Sequence, residues 1–233
     1  MDTKRLEGHF LLLQINDSLF PIGAYSHSYG LETYIQRGWV HDGATAETYI
    51  RNRLRFNFLY TDLLAARLAY DGAVAGDVKY IDHLEDLMEA SRLPMELREA
   101  SKKLGNRFCK TLFHMEGPWH QDFFKTYMDE RNGKTTCHPC AYGVFCASEG
   151  IEKDEALANY LYAQSSAMIT NCVKTVPLSQ SEGQKILNSL HPLFRELLAL
   201  VETAGEEMLC ASTPGFDLRS MEHEHLYSRL YMS

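Results

Sequence analysis

Between Met95 and His114 the apolar residues fall at positions 97, 100, 104, 108 and 112. That spacing of three to four puts them on one face of an α-helix. The opposite face carries Arg98, Lys102, Lys103, Arg107 and Lys110. The same period recurs along the chain. A stretch from Thr45 to about Tyr70 holds apolar residues at 50, 54, 58, 59, 63 and 66, and Asp71-Gly72 is its expected end. Asp77 caps a helix with Ile81, Leu84, Leu87 and Met88 on one face. Cys140 to Glu149 reads as a compact apolar helix, stopped by Gly150. Leu157, Leu161, Met168 and Cys172 follow in register behind Asp154, and Pro177 ends that helix. Ser179-x-x-Glu182 is a capping box. It opens a long helix through Ile186, Leu190, Leu193, Leu197 and Val201, in which Pro192 predicts a kink. No segment alternates cleanly for six residues, and no hairpin dipeptide sits between alternating apolar runs. The expectation is one all-α domain over residues 1–233, a helical bundle of roughly eight to ten helices. Its N-terminal segment (1–20) and C-terminal tail (212–233) are expected to be mobile.

One stretch stands apart from this periodicity. Asp17 to Glu32 reads Asp-Ser-Leu-Phe-Pro-Ile-Gly-Ala-Tyr-Ser-His-Ser-Tyr-Gly-Leu-Glu. Pro21 fixes φ and Gly23 admits positive φ, so a tight turn is expected there. Ser26 or Ser28 is placed to cap the next helix, which runs to Gln36 with Gly38 as its stop. Tyr25, Ser26, His27, Ser28 and Tyr29 each carry a polar handle. One reading is a capped helix entrance with a structural histidine; the other is a recognition loop. A catalytic Ser-His reading lacks the Gly-x-Ser-x-Gly elbow and an evident acid partner.

Charge narrows the partners. The net charge is −8 and the pI about 5.7, which argues against a phosphate-neutralising nucleic-acid binder. The basic stripe on the 95–114 helix reads first as a solvated face and second as a docking surface for an acidic protein. Gln14, Asn16 and Asp17 end the apolar run after Lys4 and Arg5 too early for a signal peptide, and no window approaches a membrane span. Six irregularly spaced cysteines in 233 residues are expected to be reduced, in a cytoplasmic protein.

Two clusters carry ligand chemistry. Cys137-His138-Pro139-Cys140 offers thiolates and an imidazole, which suit zinc, nickel or copper. It has no second Cys-x-x-Cys or His pair at structural-zinc spacing, and burial as small apolar residues is the plainer reading. The tail places His223 and His225 among Met221, Glu222 and Glu224. A capped, solvated tail is the plainer reading there. No P-loop, dinucleotide fingerprint or His-Glu-x-x-His motif is present, and no residues form a catalytic constellation.

The first stretch, from Phe20 to Glu32, resembles the N-terminal signature of the UreF-type urease accessory proteins. Four further blocks, in order, resemble the same family. They are Ala100-Ser101 with Gly105-Asn106-Arg107; Pro139-Cys140-Ala141-Tyr142-Gly143-Val144; Val176-Pro177-Leu178-Ser179-Gln180 with Gly183-Gln184; and Met221-x-His223-Glu224 followed by Tyr227-Ser228-Arg229-Leu230. Lys174 and Cys140 depart from the family pattern, which has arginine and an apolar residue there. The resemblance implies an all-α homodimer that binds the UreD/UreH-type scaffold protein and the GTPase UreG on apo-urease. It would regulate GTP-dependent nickel insertion without catalysing a reaction. It implies no cofactor of its own: nickel is handled by the complex, GTP and magnesium by the GTPase. It implies neither a nucleic-acid nor a membrane partner. The partner-binding residues it points to are Tyr25, His27, Glu32, Arg98, Lys102, Arg107, Gln180, Gln184, His223, Glu224, Tyr227, Arg229 and Leu230. The tail is expected to order only when the scaffold binds. The alternative from another class is a metal-dependent hydrolase or nickel-binding protein using Cys137, His138, Cys140, His223 and His225.

Overall fold

In the computed structural model, which describes residues 3–115, 122–211 and 213–233, every regular element is helical. The centre is made by two helices whose sequences allow very close approach. In α4 (Leu64–Val74) the buried face is mostly Leu, Ala and Gly. In α8 (His138–Ser148) every residue from His138 to Cys146 is buried. A helix apolar on all sides belongs inside. A Cβ on Gly143 of α8 would lie 2.2 Å from the Ala66 carbonyl oxygen of α4, so the two backbones nearly touch.

The other helices pack around this pair. On one side lie α5 (Val78–Ser91), α6 (Met95–His114) and α7 (Asp122–Glu130). On the other, the long α9 (Lys153–Thr175) contacts α1 (Thr3–Asn16), α3 (Gly43–Arg53), α10 (Gln180–Ser189) and α11 (His191–Thr203). The short α2 (Leu31–Gln36) packs against α12 (Pro214–His223).

The all-α reading stands, and α6 occupies the range its periodicity gave. Asp77 and the Ser179–Glu182 capping box start α5 and α10 as expected. Four expectations are corrected. The helix after Asp42 does not stop at Asp71-Gly72. It runs through a π-helical stretch (Leu54–Leu63) into α4 and on to Val74, because Gly72 lies buried against Ile81 instead of turning the chain. Pro192 does not kink a helix but starts one. It is the second residue of α11, where its missing N–H has no partner to lose. The N-terminal segment is not loose: α1 buries Leu11, Leu12 and Ile15, and Asn16 donates to the Tyr142 hydroxyl at 3.0 Å. The tail is not irregular either. Pro214 opens α12, and the residues after it fold back onto the body.

Candidate functional site

The polar stretch before α2 is where the chain folds back on itself. Gly23 takes φ 85° and Gly30 φ 82°, the turn conformations that glycine accepts at no steric cost. Neither Ser26 nor Ser28 caps α2. Ser26 Oγ donates to the Gly23 carbonyl, and Ser28 Oγ donates to the main-chain oxygen of Ser233 at 2.8 Å. The Ser28 and Tyr29 N–H groups reach the same Ser233 oxygen at 2.6 and 3.0 Å. Met232 N–H donates to the Ser26 carbonyl. His27 is buried, with Nδ1 2.8 Å from Ser233 Oγ. Asn171 of α9 donates to the His27 carbonyl at 2.9 Å. Burial, with Lys103 adding to it and Glu96 opposing, holds the His27 imidazole below its ordinary value.

A second polar knot locks the tail beside the first. His223 is fully buried between two carboxylates, Nδ1 2.7 Å from Glu96 and Nε2 2.9 Å from Glu32. Glu32 also accepts the Leu230 N–H at 2.7 Å and the Tyr231 N–H at 3.1 Å. Glu96 pairs with Arg229 through its other oxygen. Glu224 accepts the Met95 N–H at 3.0 Å, a carboxylate at the positive end of α6. The tail is therefore not a free segment awaiting a partner. It is closed by a clasp in which Glu32 meets His223, Arg229 meets Glu96 and His27 meets Ser233; Glu32, His27, His223 and Arg229 are four of the residues that the sequence singles out.

The remaining predicted residues separate. Tyr227 and Leu230 stand fully or largely exposed on the clasp. The Tyr25 side chain lies outside what the structure describes. Gln180 and Gln184 face solvent on α10, around a shallow concavity of about 470 Å³. The basic stripe divides in two. Arg98 donates to the Arg92 carbonyl, and Lys102 pairs with Glu89 at 2.6 Å and with Glu99 at 3.5 Å. Among the described residues Lys103, Arg107 and Lys110 have no ion-pair partner. They line a groove of about 460 Å³ with Ile22, His27 and Met232, at the edge of the clasp.

The candidate ligand clusters do not come together as predicted. Both ring nitrogens of His223 are occupied, and His225 is exposed, so these two form no ligand pair. His138 turns away from its neighbouring cysteines into the aromatic core, 5.0 Å from the Phe108 ring and 5.6 Å from that of Tyr160. Burial pushes its imidazole down to about 4, and Nε2 has no hydrogen-bond partner among the described residues.

Cys137 and Cys140 meet Glu85 of α5 instead, a residue that sequence reading missed. The donor atoms of Glu85, Cys137 and Cys140 all lie within 4.8 Å of one another, and all three residues are buried. Tyr127 donates to one Glu85 oxygen, and the Cys137 N–H donates to the other at 2.7 Å. Burial pushes the Glu85 carboxyl up to about 7 and raises the Cys137 thiol. The hydrogen bond to Cys137, followed by burial, raises the Cys140 thiol further. The signal was present: Glu85 is a lone acid on the apolar face formed by Ile81, Leu84 and Met88.

The family model of UreF matches residues 40–191, well over half of the chain. The match contains Lys103, Arg107, Glu85 and the Cys137–Cys140 turn. The polar stretch before α2 and the tail lie outside it, one on each side, while Glu96 of the clasp lies within it.

Proposed function

The chain belongs to the UreF family, and we propose that it is a urease accessory protein, a non-catalytic assembly factor for urease maturation. In this reading it bridges the UreD/UreH-type scaffold and the GTPase UreG on apo-urease. It regulates GTP-dependent nickel insertion there, in the cytoplasm and as a homodimer. Nickel would be handled by the assembled complex, and GTP and magnesium by the partner GTPase. The observation that carries the proposal is the family match. The surface supports it: Lys103, Arg107 and Lys110, which have no ion-pair partner among the described residues, line a groove with the exposed Met232, and Tyr227 and Leu230 stand exposed on the same tail. Aromatic and apolar anchors next to a charged rim are what a specific protein interface requires. The hydrolase alternative finds no support, because its five residues are divided between the core, the buried clasp and the exposed tail.

Deleting the gene from a urease-positive host tests the proposal. Urease protein is expected to remain while its nickel content and activity fall. Normal nickel content in the deletion strain would refute an assembly role. A pull-down of scaffold and GTPase with the purified chain tests the bridging claim separately.

A further inference from the structure

We propose that Glu85, Cys137 and Cys140 form a buried site for a thiolate-preferring divalent cation of the zinc type. The inference does not rest on the urease reading, and it replaces His138 of the sequence-level cluster with Glu85 as the third ligand. Four observations carry it. The three donor atoms are mutually within 4.8 Å, the separation from which one ion is reached without rebuilding the backbone. The two thiols sit at the start of α8, Cys137 as its N-cap and Cys140 three residues on, a spacing that brings both to one side of the first turn. The carboxylate is already oriented from outside, by the Tyr127 hydroxyl on one oxygen and the Cys137 N–H on the other. Such supporting hydrogen bonds hold a ligand in place for a metal. Lastly, Glu85 has no salt-bridge partner among the described residues. The nearby Arg131 pairs with Asp82 at 2.6 Å and Asp86 at 2.9 Å instead. Glu85 therefore stands buried beside two thiols with no cation paired to it among the described residues.

Size and ligand type define the occupant. The adjoining cavity, lined by Glu85, Arg92, Ser101, Thr136 and Cys137 among others, measures about 10 Å³. That is room for one water-sized body and not for an organic substrate. Two sulfurs and one oxygen suit a borderline divalent ion better than magnesium or calcium, which prefer oxygen alone. Binding two thiolates and a carboxylate releases the protons these groups carry when the site is empty, with no change in oxidation state. The role is structural: the ion ties α5 to the start of the central helix α8.

The reduced, chelator-stripped full chain is titrated with cobalt(II), followed by the near-ultraviolet thiolate-to-metal charge-transfer band and by melting temperature. The expected result is one equivalent bound per chain, an upward shift in melting temperature, and displacement of cobalt by zinc at lower concentration than by nickel. Cys137→Ser and Cys140→Ser should each abolish the band. Glu85→Gln, which keeps the side chain's volume, should weaken binding about tenfold or more. His138→Ala should leave the band unchanged. No charge-transfer band in the parent chain, or a band surviving both cysteine substitutions, overturns the site. Nickel displacing cobalt before zinc overturns the zinc assignment. If the serine variants fail to fold, alkylation of the parent chain decides. Zinc should protect Cys137 and Cys140, and equal labelling with and without zinc overturns the proposal.

Discussion

His27 ties acidity to the closure of the tail. Its imidazole is held below the ordinary value by burial and by Lys103. Below about pH 6.5 the unfolded chain takes up a proton that the folded chain refuses. Its contribution to stability is therefore complete above that pH and is lost as the pH falls. The melting temperature is expected to drop between about pH 7.5 and pH 5.5, a drop to which buried His138, also held below its ordinary value, adds; His27→Asn, which keeps a polar partner for Ser233, should lessen it. Calorimetry across the range checks it, and an unchanged slope in the variant removes His27 from the account. Gly105 makes the sharpest steric prediction. A Cβ there would lie 2.1 Å from the Thr136 carbonyl oxygen and 2.7 Å from the Cys137 carbonyl carbon. Gly105→Ala must push back the turn that carries the two thiols, at a cost of about 1–3 kcal/mol. Chemical denaturation measures it, and a variant as stable as the parent would mean the turn yields freely.

Helices were legible where their information is local. The α6 range, the Asp77 cap and the Ser179–Glu182 box all depend on residues within one or two turns of each other. Pro192 was misread because its effect depends on its place in the turn: inside a helix it kinks, at the second position it begins one. The tail was misread for a different reason. Nothing within a few residues of Arg229 announces Glu96, and nothing near Leu230 announces Glu32. Tyrosine, leucine and arginine in the tail looked like material for a partner, and part of it is used within the chain. A chain truncated after Glu222 tests how much of the tail is used in this way. Removal of residues 223–233 strips Glu32 of His223 and two N–H donors and strips Glu96 of both partners. Each buried group left unsatisfied costs about 1–3 kcal/mol, so the truncated chain should melt several degrees below the parent. Equal melting temperatures would show that the clasp adds no stability.

At the scale of the whole molecule, composition and surface point in opposite directions. The net charge is −8, yet the groove beside the clasp is lined by Lys103, Arg107 and Lys110. The overall balance conceals a local positive field, which the sequence showed only as a helix face of five basic residues. Which of the five remain available depends on Glu89 and Glu99, and pairing of that kind emerges only with tertiary structure. Charge reversal at Lys103, Arg107 and Lys110 should slow association with an acidic partner surface more than it speeds dissociation, with the effect fading at high salt. Reversal at Lys102 should act mainly on stability. Stopped-flow or biosensor kinetics at two ionic strengths separates the cases, and an unchanged on-rate at low salt counts against this face. The clasp also bears on the order in which the chain is made. Ser28 meets Ser233 across 205 positions, and Glu32 meets His223 across 191. A ribosome delivers the first partner of each pair long before the second. Glu32 waits for a histidine not yet translated, and the early signature stretch reaches its final shape only when residues 223–233 have left the exit tunnel.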